Sequence, residues 1–322
     1  MRLIITRPAR TTALLAVLCL VPVAPLLAGE PDPAEVIRVL DSDLGDEDAA
    51  DRLGEMGLTP QTLARTLRAW KPVGPPPFRG QKKIALEAPD GRKTDLWVYV
   101  PEAYDGTRPW PCMVCLHGLR GRGSQMTELC KPMADRWGYM VIAPTAQDHK
   151  GVLPMLPHWW KYTDDGFVFA ALAWAKKRFF IDDDRILLMG YSMGGFGTWN
   201  IGLRFPDRFF ALAPFAGGIS QLEYLGRPDK RRRELLPNAS LVLLTFAHGD
   251  ADRIVPVRFD RQSHQALKKA GIAHTYHEVK GGTHILQGVM AAGRGDFEKG
   301  AIVADLFEGL RKKSRPGPAE PF

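Results

Sequence analysis

Arg185-Ile186-Leu187-Leu188-Met189-Gly190-Tyr191-Ser192-Met193-Gly194-Gly195 joins an apolar run to the start of a helical pattern. Glycine and serine are common, so a GxSxG spacing alone says little. Its position between a strand and a helix gives it meaning. The chain has to reverse sharply at Ser192, which leaves that residue strained and its hydroxyl exposed. Gly190 and Gly194 lack side chains where strand and helix crowd together, and Gly195 adds clearance. The first amides of the helix then point at whatever the serine attacks, and the helix dipole favours negative charge there.

A serine hydroxyl is a poor nucleophile at neutral pH, so a base must take its proton during attack. Two later apolar strands end in candidates. Leu241–Ala247 runs into His248-Gly249-Asp250-Ala251-Asp252-Arg253-Ile254-Val255-Pro256, and Thr275–Val279 into Lys280-Gly281-Gly282-Thr283-His284. Both groups fall at the carboxyl ends of strands, where open α/β sheets place their sites, and their order is Ser, Asp, His. His284, flanked by glycine, is the candidate base. His264 falls in a helical pattern, His274 and His277 in or beside a strand, and His117, His149 and His158 precede the serine. Asp250 and Asp252 compete as the acid that orients the base, although turn preferences suit Asp250 to a turn. The oxyanion of an acyl transfer needs two N–H donors. The amide of Met193 is one candidate. Leu119, in Leu116-His117-Gly118-Leu119-Arg120-Gly121, is the other, with Gly118 allowing close approach. Loss of one such donor costs on the order of 3–4 kcal/mol of transition-state stabilisation. Taken alone, His117-Gly118 is an ordinary turn.

Outward from this centre, strands and helices alternate. Lys82–Ala88 and Thr94–Val100 flank Pro89-Asp90-Gly91, a hairpin signal. Cys112–Leu116, Met140–Ala143, Arg185–Met189 and Phe209–Phe215 read as strands. Gln125–Trp137, Asp165–Phe180, Ser192–Arg204, Pro256–Ala270 and Asp296–Leu310 read as helices. The fold class is therefore α/β, a mainly parallel sheet covered on both faces with an antiparallel hairpin at one edge. Residues 31–70 read as a small helical appendage with Thr59 as an N-cap before Pro60, and 71–77 as a proline-rich linker. The catalytic domain is expected over 78–314.

From about Lys82 to Leu310 the chain resembles the α/β-hydrolase superfamily, most similarly the exported esterases of the feruloyl-esterase and polyhydroxybutyrate-depolymerase-like group. The residues that carry this are Leu116-His117-Gly118, Asp184-Arg185-Ile186, Gly190 to Gly195, Phe205-Pro206-Asp207-Arg208-Phe209, His248-Gly249 with Asp252, and Gly282-Thr283-His284. In that family the loop reads His-Gly-x-x-Asp before an apolar pair and proline, which implies Asp252 as the acid. The resemblance implies hydrolysis of carboxylic esters through an acyl-enzyme on Ser192. Triad chemistry itself does not separate esters from amides. A serine peptidase of the same fold and a non-catalytic acyl-binding homologue are the alternatives. Residues 31–70 have no counterpart in the bare fold, and the cysteines lack the disulfide pattern of some secreted depolymerases.

The remaining features bound the setting. Arg2, Arg7 and Arg10 precede the apolar run Ala13–Leu20, and small residues follow at Ala28-Gly29, the order of a secretory signal peptide over 1–28. The alternative is a retained membrane anchor, against which Pro22 and Pro25 break the apolar run. Export to a periplasm or the extracellular space is expected, with no stable membrane span once the leader is removed. Removing that leader takes away three arginines and no acid, so the formal charge of +7 falls to +4. The basic clusters Lys230–Arg233 and Arg311–Lys313 lack interleaved aromatics and read as a solvated loop and a tail, which argues against a nucleic-acid partner. Cys112 and Cys115 lie three apart in a buried strand, so they point to opposite faces and do not form a redox or metal pair. No cofactor is implied, and no His and carboxylate cluster has metal-ligand spacing. Trp159 and Trp160, after the Met140–Ala143 strand, are candidate substrate-binding residues suited to stack on a sugar or aromatic group, with cover for an edge of the core as the equal alternative. The segment Ile219–Asn238 is too short for a large lid, so the expected substrate is a bulky or polymer-attached ester.

Overall fold

Apolar runs with polar boundaries become the central strands of an eight-stranded sheet in the computed structural model, which describes residues 76–88, 91–146, 165–220 and 230–285 and parts of 32–66. The strands are β1 (Gly80–Glu87), β2 (Lys93–Val100), β3 (Trp110–Leu116), β4 (Met140–Pro144), β5 (Ile181–Tyr191), β6 (Ala211–Phe215), β7 (Leu243–Gly249) and β8 (Thr275–Val279). Their order is β1-β2-β4-β3-β5-β6-β7-β8. β1 pairs antiparallel with β2 and β2 with β4, and every pairing from β4 to β8 is parallel. This is the α/β-hydrolase fold.

The chain divides into two units, 1–74 with 89–91, and 75–88 with 92–322. In the first, α1 spans Asp46–Glu55. Thr59 caps the following helical residues: its Oγ1 accepts the Thr62 amide at 3.1 Å, and its own amide donates to Thr62 Oγ1 at 2.7 Å. Such reciprocal bonds satisfy amides that a helix start leaves without partners.

In the second unit, α2 (Gly123–Trp137) covers one face of the sheet. The other face carries α3 (Asp165–Lys176), α4 (Met193–Arg204) and α6 (Arg258–Lys269), while the short α5 spans Arg231–Leu235. Alternation along the strands fills both layers. Met113, Cys115, Leu187 and Met189 pack with Met126, Cys130 and Met133 of α2. Cys112, Val114, Leu116, Ile186 and Leu188 pack with Val168, Trp199, Phe259 and Leu267. Cys112 and Cys115 therefore lie on opposite faces, and both are free thiols. Burial pushes the Cys112 thiol up to about 12. Cys115 instead meets Cys130 of α2, sulfur to sulfur at 3.6 Å.

Several boundaries differ from the sequence reading. β5 begins at Ile181, four residues early, because Ile181 pairs with Trp110 before a register shift leads into the Cys112–Ile186 pairing. Leu241 ends a 3-10 helix over Leu236–Leu241 instead of opening β7. The basic run at 230–233 leads into α5 where a loop was expected. The leader over 1–28, linker residues 71–75, Trp159 and Trp160, and the helix expected over 296–310 lie outside the described residues.

Candidate active site

At the end of β5 the backbone does what the glycines allow. Ser192 takes φ 56° and ψ −117°, a strained conformation for a residue with a side chain. Its amide is tied to the Phe215 carbonyl oxygen at 2.9 Å, and its own carbonyl accepts the Phe196 amide as α4 begins. A Cβ on Gly190 would lie 2.3 Å from the Gly194 carbonyl oxygen, and one on Gly194 would lie 2.0 Å from that of Leu116. Only glycine lets strand and helix pass this closely.

A second close approach brings the other two loops together. A Cβ on Gly249 would meet the Gly282 carbonyl oxygen at 2.1 Å, and that oxygen accepts the Ala251 amide at 3.0 Å. Asp250 braces the crossing, its Oδ1 accepting the Gly281 amide at 2.6 Å. It is a turn residue. Asp252 points instead at His284: His284 Nδ1 donates to Asp252 Oδ2 at 2.6 Å. With that nitrogen protonated, Nε2 is the acceptor, and the Ser192 hydroxyl donates to it at 2.8 Å. The three candidates on three loops thus form one hydrogen-bonded chain.

Asp252 is held from every side. Its Oδ1 accepts the amides of Ile254 at 2.8 Å and Val255 at 2.9 Å. Burial opposes its charge, yet the bonds from His248 and His284 and the Val255 amide hold its carboxyl well below the usual carboxylate range. It is ionised wherever the protein is folded near neutrality.

For the candidate oxyanion donors, Met193 is the first residue of α4, so its amide has no acceptor within the helix. Leu119 sits in the loop after β3, next to Gly118, where a Cβ would be 3.6 Å from Ser192 Cβ and 3.3 Å from the Tyr191 ring. His117 is more than part of a turn. It is buried, its Nε2 accepts the Ala146 amide at 2.9 Å, and its Nδ1 donates to the Gly118 carbonyl at 2.7 Å, which fixes the loop against the end of β4.

Three residues escaped the sequence reading. The Tyr191 hydroxyl donates to the His284 carbonyl oxygen at 2.7 Å, and its ring lies 5.0 Å from the imidazole, so the residue beside Ser192 anchors the His284 loop. Burial, then the charge of Asp252, push the Tyr191 phenol up, so it remains a neutral donor. His248, at the end of β7, touches both Asp252 and Asp260 of α6. His248 stands in a quoted motif, but spacing carries no sign that a helix ten residues later returns a carboxylate to it. Among the described residues no group of three or more His, Cys, Asp or Glu could hold a metal, and no helix is long and apolar enough to cross a membrane.

Comparison with known proteins agrees with this architecture. An esterase of the Planctomycetes species Thermogutta terrifontis superposes with a TM-score of 0.55 at 20% identity, over 76% of this chain and 97% of that one. A puromycin-hydrolysing peptidase of Mycobacterium tuberculosis gives 0.58 at 21% identity, over 75% of this chain and 41% of that one. At such identities the likeness is one of fold. A protein of Arthroderma benhamiae described as "Uncharacterized secreted protein" is 32% identical over 137 residues, a match spanning 37% of this chain and 14% of that protein. Residues 97–286, from β2 to just past His284, match the family described as "Dienelactone hydrolase family", and the chain belongs to it.

Proposed function

We propose that this hydrolase cleaves carboxylic esters through an acyl-enzyme on Ser192, with His284 as general base and then general acid, and Asp252 orienting it. The supporting observation is the continuous bond chain from Ser192 Oγ through His284 to Asp252, at 2.8 and 2.6 Å. As Oγ attacks the ester carbonyl, its proton passes to His284 Nε2. The imidazolium is stabilised by Asp252 and then protonates the leaving alcohol. The negative oxygen of the intermediate falls to the amides of Met193 and Leu119, beside the positive end of α4. Water, activated by His284, then releases the acid and restores Ser192.

The surroundings favour an apolar acyl or alcohol group. Among the described residues the exposed large hydrophobics are Leu119 (45%), Ile254 (60%) and Ile285 (56%). Each adjoins a site residue in sequence: Gly118, the Asp252 loop and His284. Isolated exposed apolar residues need no explanation, whereas three around one reactive centre offer surface for an apolar group to cover. The expected substrate is therefore an ester with a bulky apolar portion, and Trp159 and Trp160 are proposed to add stacking surface.

Fluorophosphonate labelling followed by substrate comparison tests this reading. Native protein should label at one site and Ser192→Ala should not. An aryl hexanoate should be turned over with a kcat/KM roughly tenfold above that of the acetate, and above that of aminoacyl amides. Equal labelling of Ser192→Ala refutes the nucleophile. A preference for amides moves the reading to a peptidase, and labelling without turnover of any ester moves it to an acyl-binding role. Export belongs to the same proposal, supported by the leader pattern and the name of the Arthroderma relative. Amino-terminal sequencing of the mature protein should begin close to Gly29; recovery of an intact Met1 chain only in the cytosol would contradict it.

A further inference from the structure

We infer that His248 is a positioning residue held as an imidazolium between Asp252 and Asp260, and that its charge sets the acid limit of the activity. The inference rests on the proposed roles of Ser192, His284 and Asp252.

His248 and both carboxylate side chains are fully shielded from solvent. Nδ1 lies 2.7 Å from Asp260 Oδ2. Nε2 lies 2.8 Å from the Val255 carbonyl oxygen and 3.3 Å from Asp252 Oδ2. A carbonyl oxygen can only accept, so Nε2 carries a proton. Asp260 accepts the Trp199 indole N–H on Oδ1 at 3.2 Å, and its Oδ2 faces Nδ1. With a carboxylate there and another at Asp252, both ring nitrogens donate. Burial alone would drive the proton off, but the bonds to Asp252 and Asp260 outweigh it and raise His248 to about 10. Among the described residues Glu278 also faces it, opposite His248 in the ladder with β8 and engaged by Arg261 at 2.6 Å.

This cation shares Asp252 Oδ2 with His284. The neighbouring imidazolium offsets the second buried carboxylate, Asp260, so the Asp252–His284 pair lies beside one net negative charge instead of two. Replacing His248 by a neutral donor leaves two buried carboxylates without their shared counterion. The extra negative charge beside the catalytic base moves the acid limb of kcat/KM to higher pH. Replacing His248 and Asp260 together by amides removes one positive and one negative charge, and the original balance returns.

The first test needs no substitution. In the full chain labelled with 15N-histidine, both ring nitrogens of His248 should keep imidazolium shifts and slowly exchanging protons from about pH 5.5 to about pH 8.5. These signals should vanish in His248→Gln. A deprotonated nitrogen on His248 in that range, the signature of a neutral ring beside a protonated Asp260, overturns the inference. The second test is the pH profile. His248→Gln should shift the acid limb upward by about one pH unit with little change in KM, and His248→Gln/Asp260→Asn should bring it back toward the native position. An unmoved limb in the single variant, or a double variant no closer to native, overturns it as well. The NMR result is independent of turnover, so a failure of the hydrolase reading would show as absent Ser192 labelling with the His248 signals intact.

Discussion

Among single residues, the proposed chemistry depends on one imidazole between a hydroxyl and a carboxylate. Ser192→Ala and His284→Ala should each reduce kcat by roughly 10⁴- to 10⁶-fold, and Asp252→Asn by about 10⁴-fold, in ester turnover measured on folded variants. An Asp252→Asn variant with native activity would return the acid role to Asp250. Ser192 and His284 were legible because the chemistry demands those types and the fold places them at strand ends in a set order, whereas the choice of Asp252 over Asp250 leaned on the family resemblance. Tyr191, His248 and Asp260 were not legible. Their roles arise from folding, which lays a phenol against the His284 carbonyl and returns a helical carboxylate to β7.

At the scale of the element, loops are placed by close backbone contact, and small changes there should be felt at the centre. A methyl on Gly194 would collide with the Leu116 carbonyl oxygen. Gly194→Ala should therefore cost about 3 kcal/mol in denaturant unfolding, since neither β3 nor α4 can yield easily. Asp250→Ala removes the acceptor for the Gly281 amide from an exposed turn. It should leave the unfolding midpoint almost unchanged and lower kcat by roughly tenfold, because the His284 loop loses its brace. The strands and helices were read from apolar periodicity, and their existence was easier to read than their ends. Asp182-Asp183-Asp184 hides the first half of β5, because acidic residues are poor strand formers and pairing with β3 overrides that preference. Leu241 continues an apolar run into β7, yet Pro237 and Asn238 start a 3-10 turn that claims it.

At the scale of the whole molecule, the buried charges around Asp252 couple stability to pH. The Asp252 carboxyl lies below its ordinary 3.8 in the folded state, so its contribution is present above that pH and lost as the pH falls below it. His248 lies above its ordinary 6.5, so its contribution is complete below 6.5 and lost as the pH rises toward about 10. Tm should therefore be highest between about pH 4 and pH 6.5, and His248→Gln should flatten the decline on the alkaline side; an equal decline in that variant would remove His248 from the balance. The α/β architecture was legible throughout, because an alternation of apolar runs and helices leaves few ways to bury both. Acid-quenching a reaction with an aryl ester and weighing the peptide that contains residues 185–204 reads whether these strands present one acylated serine. The predicted result is a single acyl adduct on Ser192 that forms in the first turnover and is absent from Ser192→Ala. Turnover with no adduct, or an adduct on another residue, would contradict it.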